Sequence, residues 1–354
     1  MQTIDQTRSE NFQAKMIGIL NGGALSVMTS IGHRTGLFDK MATMPGATSA
    51  DIAASAGLDE RYVREWLGSM VTGGIVEYDP QLGHYQLPPE HSGVLTRSAP
   101  LNMSVFAEFI PLLGGVEDGI VDCFKNGGGL GYDAFPRFQE VMAELSAQTV
   151  ISALTESIVP LVPNLAQDLE RGIDVLDIGC GSGRAMIALA QAFPDSRFRG
   201  VDLSVDAVAG ANKAAARKGL SNVQFETADL MTLTHQAEFD LVTAFDVIHD
   251  QANPAGVLAK VHQALRPDGI FLMQDIHAST HVHENLDHPI APMLYMISTN
   301  HCMTVSLAAG GAGLGTCWGK EKALEMLTDA GFGDANVTEL PHDPLNSYYV
   351  SRRK

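Results

Sequence analysis

From Gly172 onward, short runs rich in β-branched and aromatic residues alternate with helical segments, and this rhythm leaves few folds open. Asp174 to Ile178, Phe198 to Val201, Val223 to Thr227, Leu241 to Phe245 and Ile270 to Gln274 read as strands. The helical segments between them supply the crossovers that parallel pairing requires. Val337 to Leu340 and Ser347 to Ser351 then follow with only a short polar loop between them, so a terminal hairpin places one edge strand antiparallel. The expected class is α/β, an open seven-stranded sheet with a terminal antiparallel hairpin.

At 354 residues the chain exceeds what one hydrophobic core usually fills. Three segments are expected: 1–98, a mainly helical winged-helix domain; 99–168, a helical connector and cap; and 169–354, the sheet domain. Apolar spacing from Phe12 to Leu37 predicts two helices with a break at Asn21-Gly22-Gly23. Thr48 and Asp59 are start signals for a helix-turn-helix, and Ile75 to Tyr78 with His84 to Leu87 form its wing. From Thr48 to Tyr78 five acids face only Arg61 and Arg64, which disfavours DNA as a partner.

Val175-Leu176-Asp177-Ile178-Gly179-Cys180-Gly181-Ser182-Gly183-Arg184 lies at the first strand-to-helix turn. Glycines there let the backbone approach a ligand, and the next helix offers amide donors to an anion. The G-x-G-x-G spacing departs from the dinucleotide fingerprint. Asp202 closes the second strand, 23 residues beyond Gly179, where a carboxylate can accept both ribose hydroxyls. Asp229 follows the third strand and can accept from an adenine amino group, so an adenosine ligand is implied.

Together these residues resemble the class I S-adenosylmethionine-dependent methyltransferases, a Rossmann-like fold. The resemblance runs on through Phe239 to Val242, Leu265-Arg266-Pro267-Asp268-Gly269 and the final hairpin. With the winged helix in front, the layout is similar to bacterial two-domain enzymes and to plant-type small-molecule O-methyltransferases. The resemblance implies S-adenosylmethionine as cofactor, with Asp177, Gly179, Gly181 and Gly183 at its methionine part. Asp202 and Leu203 would lie at the ribose, Asp229 and Leu230 at the adenine, and Asp246 beside them. It implies transfer to a small, largely apolar acceptor, most readily at oxygen, with nitrogen or carbon left open. A transcriptional regulator sensing the cofactor is the alternative from another class. Relatives with this layout are often dimers, and a homodimer through the amino-terminal helices is expected.

His249-Asp250 follows the fourth strand, where the plant-type relatives begin an H-D-W motif whose histidine takes a substrate proton. Gln251 replaces the tryptophan, so His249 stands open between general base and helix start. Pro289 to Gly319 carries no Asp, Glu, Lys or Arg and is expected as a buried lining or lid. His301, Met303 and Trp318 in that run, with Tyr132 and Phe138 of the connector, are the candidate acceptor contacts, with core packing as their other reading. His281, His283, Glu284 and Asp287 could supply metal ligands, but a polar segment is preferred and no metal is expected. Cys302 has no evident cationic neighbour except His301, and no nucleophilic role is expected of it. A net charge of −18, no secretory signal and four scattered cysteines fit a cytoplasmic protein that binds neither membrane nor nucleic acid.

Overall fold

A computed structural model describes residues 4–354, which divide into a unit ending at Gly115 and a unit beginning at Val116. In the first unit, Asp5 caps a single helix, Gln6–Thr35, by accepting from the Arg8 amide at 3.1 Å. The predicted break at Asn21–Gly23 is absent. A Cβ at Gly22 or Gly23 would meet nothing within 4 Å, so these glycines weaken the helix locally without turning it. The turn falls instead at Gly36, in the left-handed region with φ of 72°. Gly32 is the glycine that packing demands, because a Cβ there would lie 2.6 Å from Trp66 and 2.7 Å from Phe38.

Helices Ser49–Ala56 and Glu60–Thr72, capped by Thr48 and Asp59, form the expected helix-turn-helix. Strands β1 (Glu77–Asp79) and β2 (His84–Gln86) pair antiparallel as the wing. Phe38, Ile52, Trp66, Leu67 and Met70 are almost wholly buried and make the core of this unit. Helix Met103–Gly114 belongs here as well, packed on Gln6–Thr35, so the expected boundary near residue 98 moves to Gly115. Its apolar face buries Val105, Phe106, Phe109 and Leu113, which is why it stays with this unit.

The second unit holds a seven-stranded sheet of β3 (Asp174–Ile178), β4 (Arg197–Asp202), β5 (Val223–Thr227), β6 (Phe239–Phe245), β7 (Leu265–Ile276), β8 (Asn336–Leu340) and β9 (Asp343–Arg352). Its spatial order is β5-β4-β3-β6-β7-β9-β8, parallel except where β9 runs antiparallel between β7 and β8. Asp177 lies opposite Gly200, and Gln274 opposite Tyr348. Strand residues alternate between two cores, as a pleated sheet covered on both faces requires. Val175, Leu241, Leu272 and Tyr348 pack with helices Arg184–Ala192 and Val205–Arg217. Leu176, Val242, Phe271 and Tyr349 pack with helices Pro254–Ala264 and Gly319–Asp329. Helices Glu117–Asn126, Phe138–Thr149 and Leu165–Arg171 precede the sheet in the same unit, so the expected connector is divided between the two units.

Candidate active site

The carboxyl ends of β3, β4, β6 and β7 converge on the glycine loop and on the segment after β6, the edge at which open parallel sheets bind ligands. Gly179, Gly181 and Gly183 all have positive φ, at 63°, 51° and 70°. A side chain at Gly179 would strike Val247, and one at Gly183 would strike Phe225 and Ala211. At Gly181 a Cβ would meet nothing, so that residue presents bare backbone to open space. Asp202 fixes the loop: its Oδ2 accepts from the Gly181 amide and its Oδ1 from the Ser204 amide, both at 2.8 Å. Each oxygen retains a lone pair for a ligand hydroxyl. Asp177 lies beneath, 2 % exposed, accepting from Thr243 Oγ1 at 2.7 Å, and burial pushes its carboxyl up to about 7. Asp229 caps the short turn Leu230–Thr232 through the Met231 amide; Leu230 is buried and Leu203 is exposed.

Past β6 the backbone passes through Asp246 at φ of 63° and enters the turn Ile248–Asp250. His249 is 4 % exposed, and its Nδ1 lies 2.8 Å from Asp275 Oδ1 at the end of β7. Trp318 Nε1 and the Ile276 amide donate to the same Asp275 oxygen at 2.9 and 2.8 Å, which fixes the carboxylate. Burial opposes a charge on the His249 ring, but Asp275 and Cys302 outweigh it and hold the ring well above the ordinary histidine range. Asp246 Oδ1 stands 3.7 Å from the ring, and burial raises that carboxyl to about 7.

Asp250 does not pair with its neighbour His249. It accepts from the Tyr132 hydroxyl at 2.6 Å and from Gln251 Nε2 at 3.1 Å. His301 is 1 % exposed and stacks on Phe138 with ring centroids 3.5 Å apart, with Phe135 and Tyr132 edge-on. Burial, with the nearby His249, lowers its pKa to about 3, and neither ring nitrogen has a hydrogen-bond partner. Met303 is half-buried on the following helix. The uncharged run does not stand free as a lid: Ser306 Oγ donates to the Gln251 carbonyl at 2.8 Å and the Ala312 amide to the Ala252 carbonyl at 3.0 Å.

Residues 23–97 match the family model described as an Rv2258c-like winged HTH domain, and residues 169–331 match the one described as a methyltransferase domain. The chain carries a methyltransferase domain behind a winged helix-turn-helix. Trans-aconitate 2-methyltransferase of Acidovorax sp. (strain JS42) is 29 % identical over 134 residues, covering 38 % of this chain and 47 % of that protein. The chain thus spans about half the length of the curated relatives it matches first. Human N-acetylserotonin methyltransferase superposes with a TM-score of 0.70 at 15 % identity, over 100 % of this chain and 99 % of that one. Mitomycin 7-O-methyltransferase MmcR gives 0.72 at 16 % identity, over 99 % and 100 %. At these identities the likeness is one of fold.

Within the methyltransferase domain, sequence reasoning missed Asp275, the carboxylate that holds His249. A signal was present, since Gln274-Asp275 puts an acid at the carboxyl end of an otherwise apolar strand. Trp318, a candidate acceptor contact, lies in the core and gives its ring N–H to that carboxylate. Cys302, for which no nucleophilic role is expected, is buried at the end of the π-turn Ser298–Cys302. His281, His283, Glu284 and Asp287 form no group of three ligand atoms among the described residues. Asp246, His249 and Asp275 do bring three such atoms within 4.8 Å of one another, although His249 Nδ1 is hydrogen-bonded to Asp275.

Proposed function

We propose that the protein transfers the methyl group of S-adenosylmethionine to the oxygen of a small, largely apolar acceptor. The His249–Asp275 dyad, on the same sheet edge as the loop that Asp202 holds, carries this reading. The loop residues fit the cofactor: Gly181 leaves open the space a Cβ would fill, and Asp202 keeps lone pairs for ribose hydroxyls. When bound, the cofactor supplies a methyl group already activated for displacement. The chain's own task is then alignment and proton removal, since a neutral hydroxyl is a poor nucleophile. His249, tethered through Nδ1, takes the hydroxyl proton on Nε2, and Asp275 stabilises the imidazolium that forms. The named acceptors of the two solved relatives, N-acetylserotonin and mitomycin, are small molecules, in keeping with this class.

Calorimetric titration with S-adenosylmethionine and S-adenosylhomocysteine tests the reading, and absence of binding by both rejects it. Asp202→Ala is expected to weaken binding by about 1 to 3 kcal/mol, the scale of two charge-assisted hydrogen bonds. Unchanged affinity would place the ribose elsewhere.

The helix Glu60–Thr72 supports no role on DNA, because Arg61 pairs with Glu65 at 2.7 Å and Arg64 with Glu60 at 3.1 Å. A gel shift at physiological salt should show no sequence-specific retention. The free cysteines accord with a reducing, cytoplasmic setting. Helix Gln6–Thr35 exposes Phe12, Ile17, Ile19 and Leu20, and by length and composition it could also cross a membrane. We assign this face to a second copy of the chain, since an exposed apolar patch of this kind marks an association site. Light scattering at micromolar concentration should give a dimer mass; a monomer, or flotation with vesicles, rejects the assignment.

A further inference from the structure

His301 lies in the widened π-turn Ser298–Cys302, a local geometry found mostly where a helix serves a site. Aromatic side chains surround its ring: Phe138 stacks on it with centroids 3.5 Å apart, and Phe135 and Tyr132 stand edge-on at 4.8 and 5.7 Å. The ring is 1 % exposed, and neither nitrogen has a hydrogen-bond partner. A neutral imidazole carries one N–H donor and one acceptor nitrogen, and leaving both unmet in a buried place costs stability that an apolar side chain there would not. Packing alone therefore does not account for a histidine at this position. Buried polar atoms of this kind ordinarily find a water or a ligand.

The ring also stands close to the reacting centre. Tyr132, edge-on to His301, donates its hydroxyl to Asp250 at 2.6 Å, and Asp250 directly follows His249. Other unpartnered buried atoms gather around His249. They are Asp275 Oδ2, on the carboxylate that holds the ring; Asp246 Oδ1, 3.7 Å from it; and Thr316 Oγ1, whose neighbour Gly315 donates its amide to the His249 carbonyl at 3.2 Å. Charge on these segments is one-sided. Residues 289–319 hold no Lys or Arg, and Arg137, the only cation from residue 126 to residue 170, pairs with Glu140 at 3.2 Å. Burial among aromatic rings keeps His301 itself uncharged.

We propose that His301 selects the acceptor by hydrogen-bonding an uncharged polar group, a carbonyl or hydroxyl, that the acceptor carries apart from the oxygen to be methylated. The acceptor reaches the ring past Tyr132, the exposed member of the three aromatic neighbours. An acceptor without the second group leaves both nitrogens unmet, and a site built to hydrogen-bond its substrate discriminates strongly against the analogue that lacks the group. An acceptor bearing a carboxylate finds no counter-charge on these segments and faces Asp246, Asp250 and Asp275, so it is turned away. The proposal rests on the methyl-transfer reading and narrows its acceptor class from small and largely apolar to bifunctional and uncharged.

Calorimetry on the full-length protein saturated with S-adenosylhomocysteine compares three phenols of nearly one shape: para-ethylphenol, para-hydroxyacetophenone and para-hydroxybenzoate. The ketone is expected to bind about tenfold tighter than the ethyl compound, and the carboxylate no tighter than the ethyl compound. His301→Phe should abolish the advantage of the ketone, and His301→Gln, which keeps a donor and an acceptor, should restore part of it. His301→Leu makes the same comparison where a thermal melt shows the phenylalanine variant to be unfolded. Equal affinity for ketone and ethyl compound, failure of all three to bind, tighter binding of the carboxylate, or a ketone advantage that survives loss of the imidazole overturns the proposal. The two readings fail separately: absence of S-adenosylhomocysteine binding refutes methyl transfer, whereas the ratio of ketone to ethyl-compound affinity, measurable also without cofactor, decides His301.

Discussion

His249→Gln is expected to lower the turnover of methyl transfer by about 10²- to 10⁴-fold while leaving affinity for S-adenosylhomocysteine nearly unchanged, the pattern of a lost general base. The ring lies 2.8 Å from Asp275 and 4 % exposed, so glutamine can occupy the space without carrying the proton. The pH dependence has a definite sign. Asp275 and Cys302 hold the folded pKa of His249 above its ordinary value, so the ring becomes a base as pH rises through that raised value. Wild-type turnover should therefore climb through that raised pKa. Asp275→Asn removes the stabilising charge, which should move the acidic limb to lower pH and weaken the base. Single-turnover transfer across pH by the wild type and both variants measures this. An acidic limb that persists in His249→Gln refutes the assignment, and an acceptor nitrogen aligned without a base then becomes the better reading.

The second large effect concerns stability. Burial raises the Asp177 carboxyl to about 7, whereas an unfolded aspartate titrates near 3.9. A carboxyl raised in the fold contributes stability that is fully present below the unfolded value and lost as pH climbs to the folded one. Above pH 7 the ionised form costs on the order of 4 kcal/mol relative to acid conditions. Asp177→Asn keeps an oxygen for Thr243 Oγ1 and removes the charge. It should thus stabilise the protein at pH 8 by up to this amount, and by much less at pH 5. Urea unfolding at the two pH values gives the comparison, and equal effects at both would show that Asp177 is not the titrating group.

The sheet was legible because its strands are short apolar runs separated by turn residues, and the terminal hairpin because no helix intervenes between its strands. The glycine loop and Asp202 were legible for the same local reason: spacing along the chain fixes their positions at one strand edge. The amino-terminal helix was misread because Gly22 and Gly23 look like punctuation, while the features that decide the turn are Gly36 and the crossing at Gly32 against Trp66. Asp275 reaches His249 from 26 residues further along the chain, through a strand register that no local pattern announces. Asp250, adjacent to His249 in sequence, turns instead to Tyr132 and Gln251, and the carboxylate at the ring is Asp275.

The position of β9 between β7 and β8 has a consequence for biosynthesis. Until the ribosome has released residue 352, β7 keeps an open edge and β8 has no strand to pair with. Asp275, on β7, lies opposite Ser347 of β9. The nascent chain can assemble the glycine loop and Asp202 long before the His249–Asp275 dyad is locked. Ligand held by the early half would then act as a template, and the exposed β7 edge is where a chaperone would have to work.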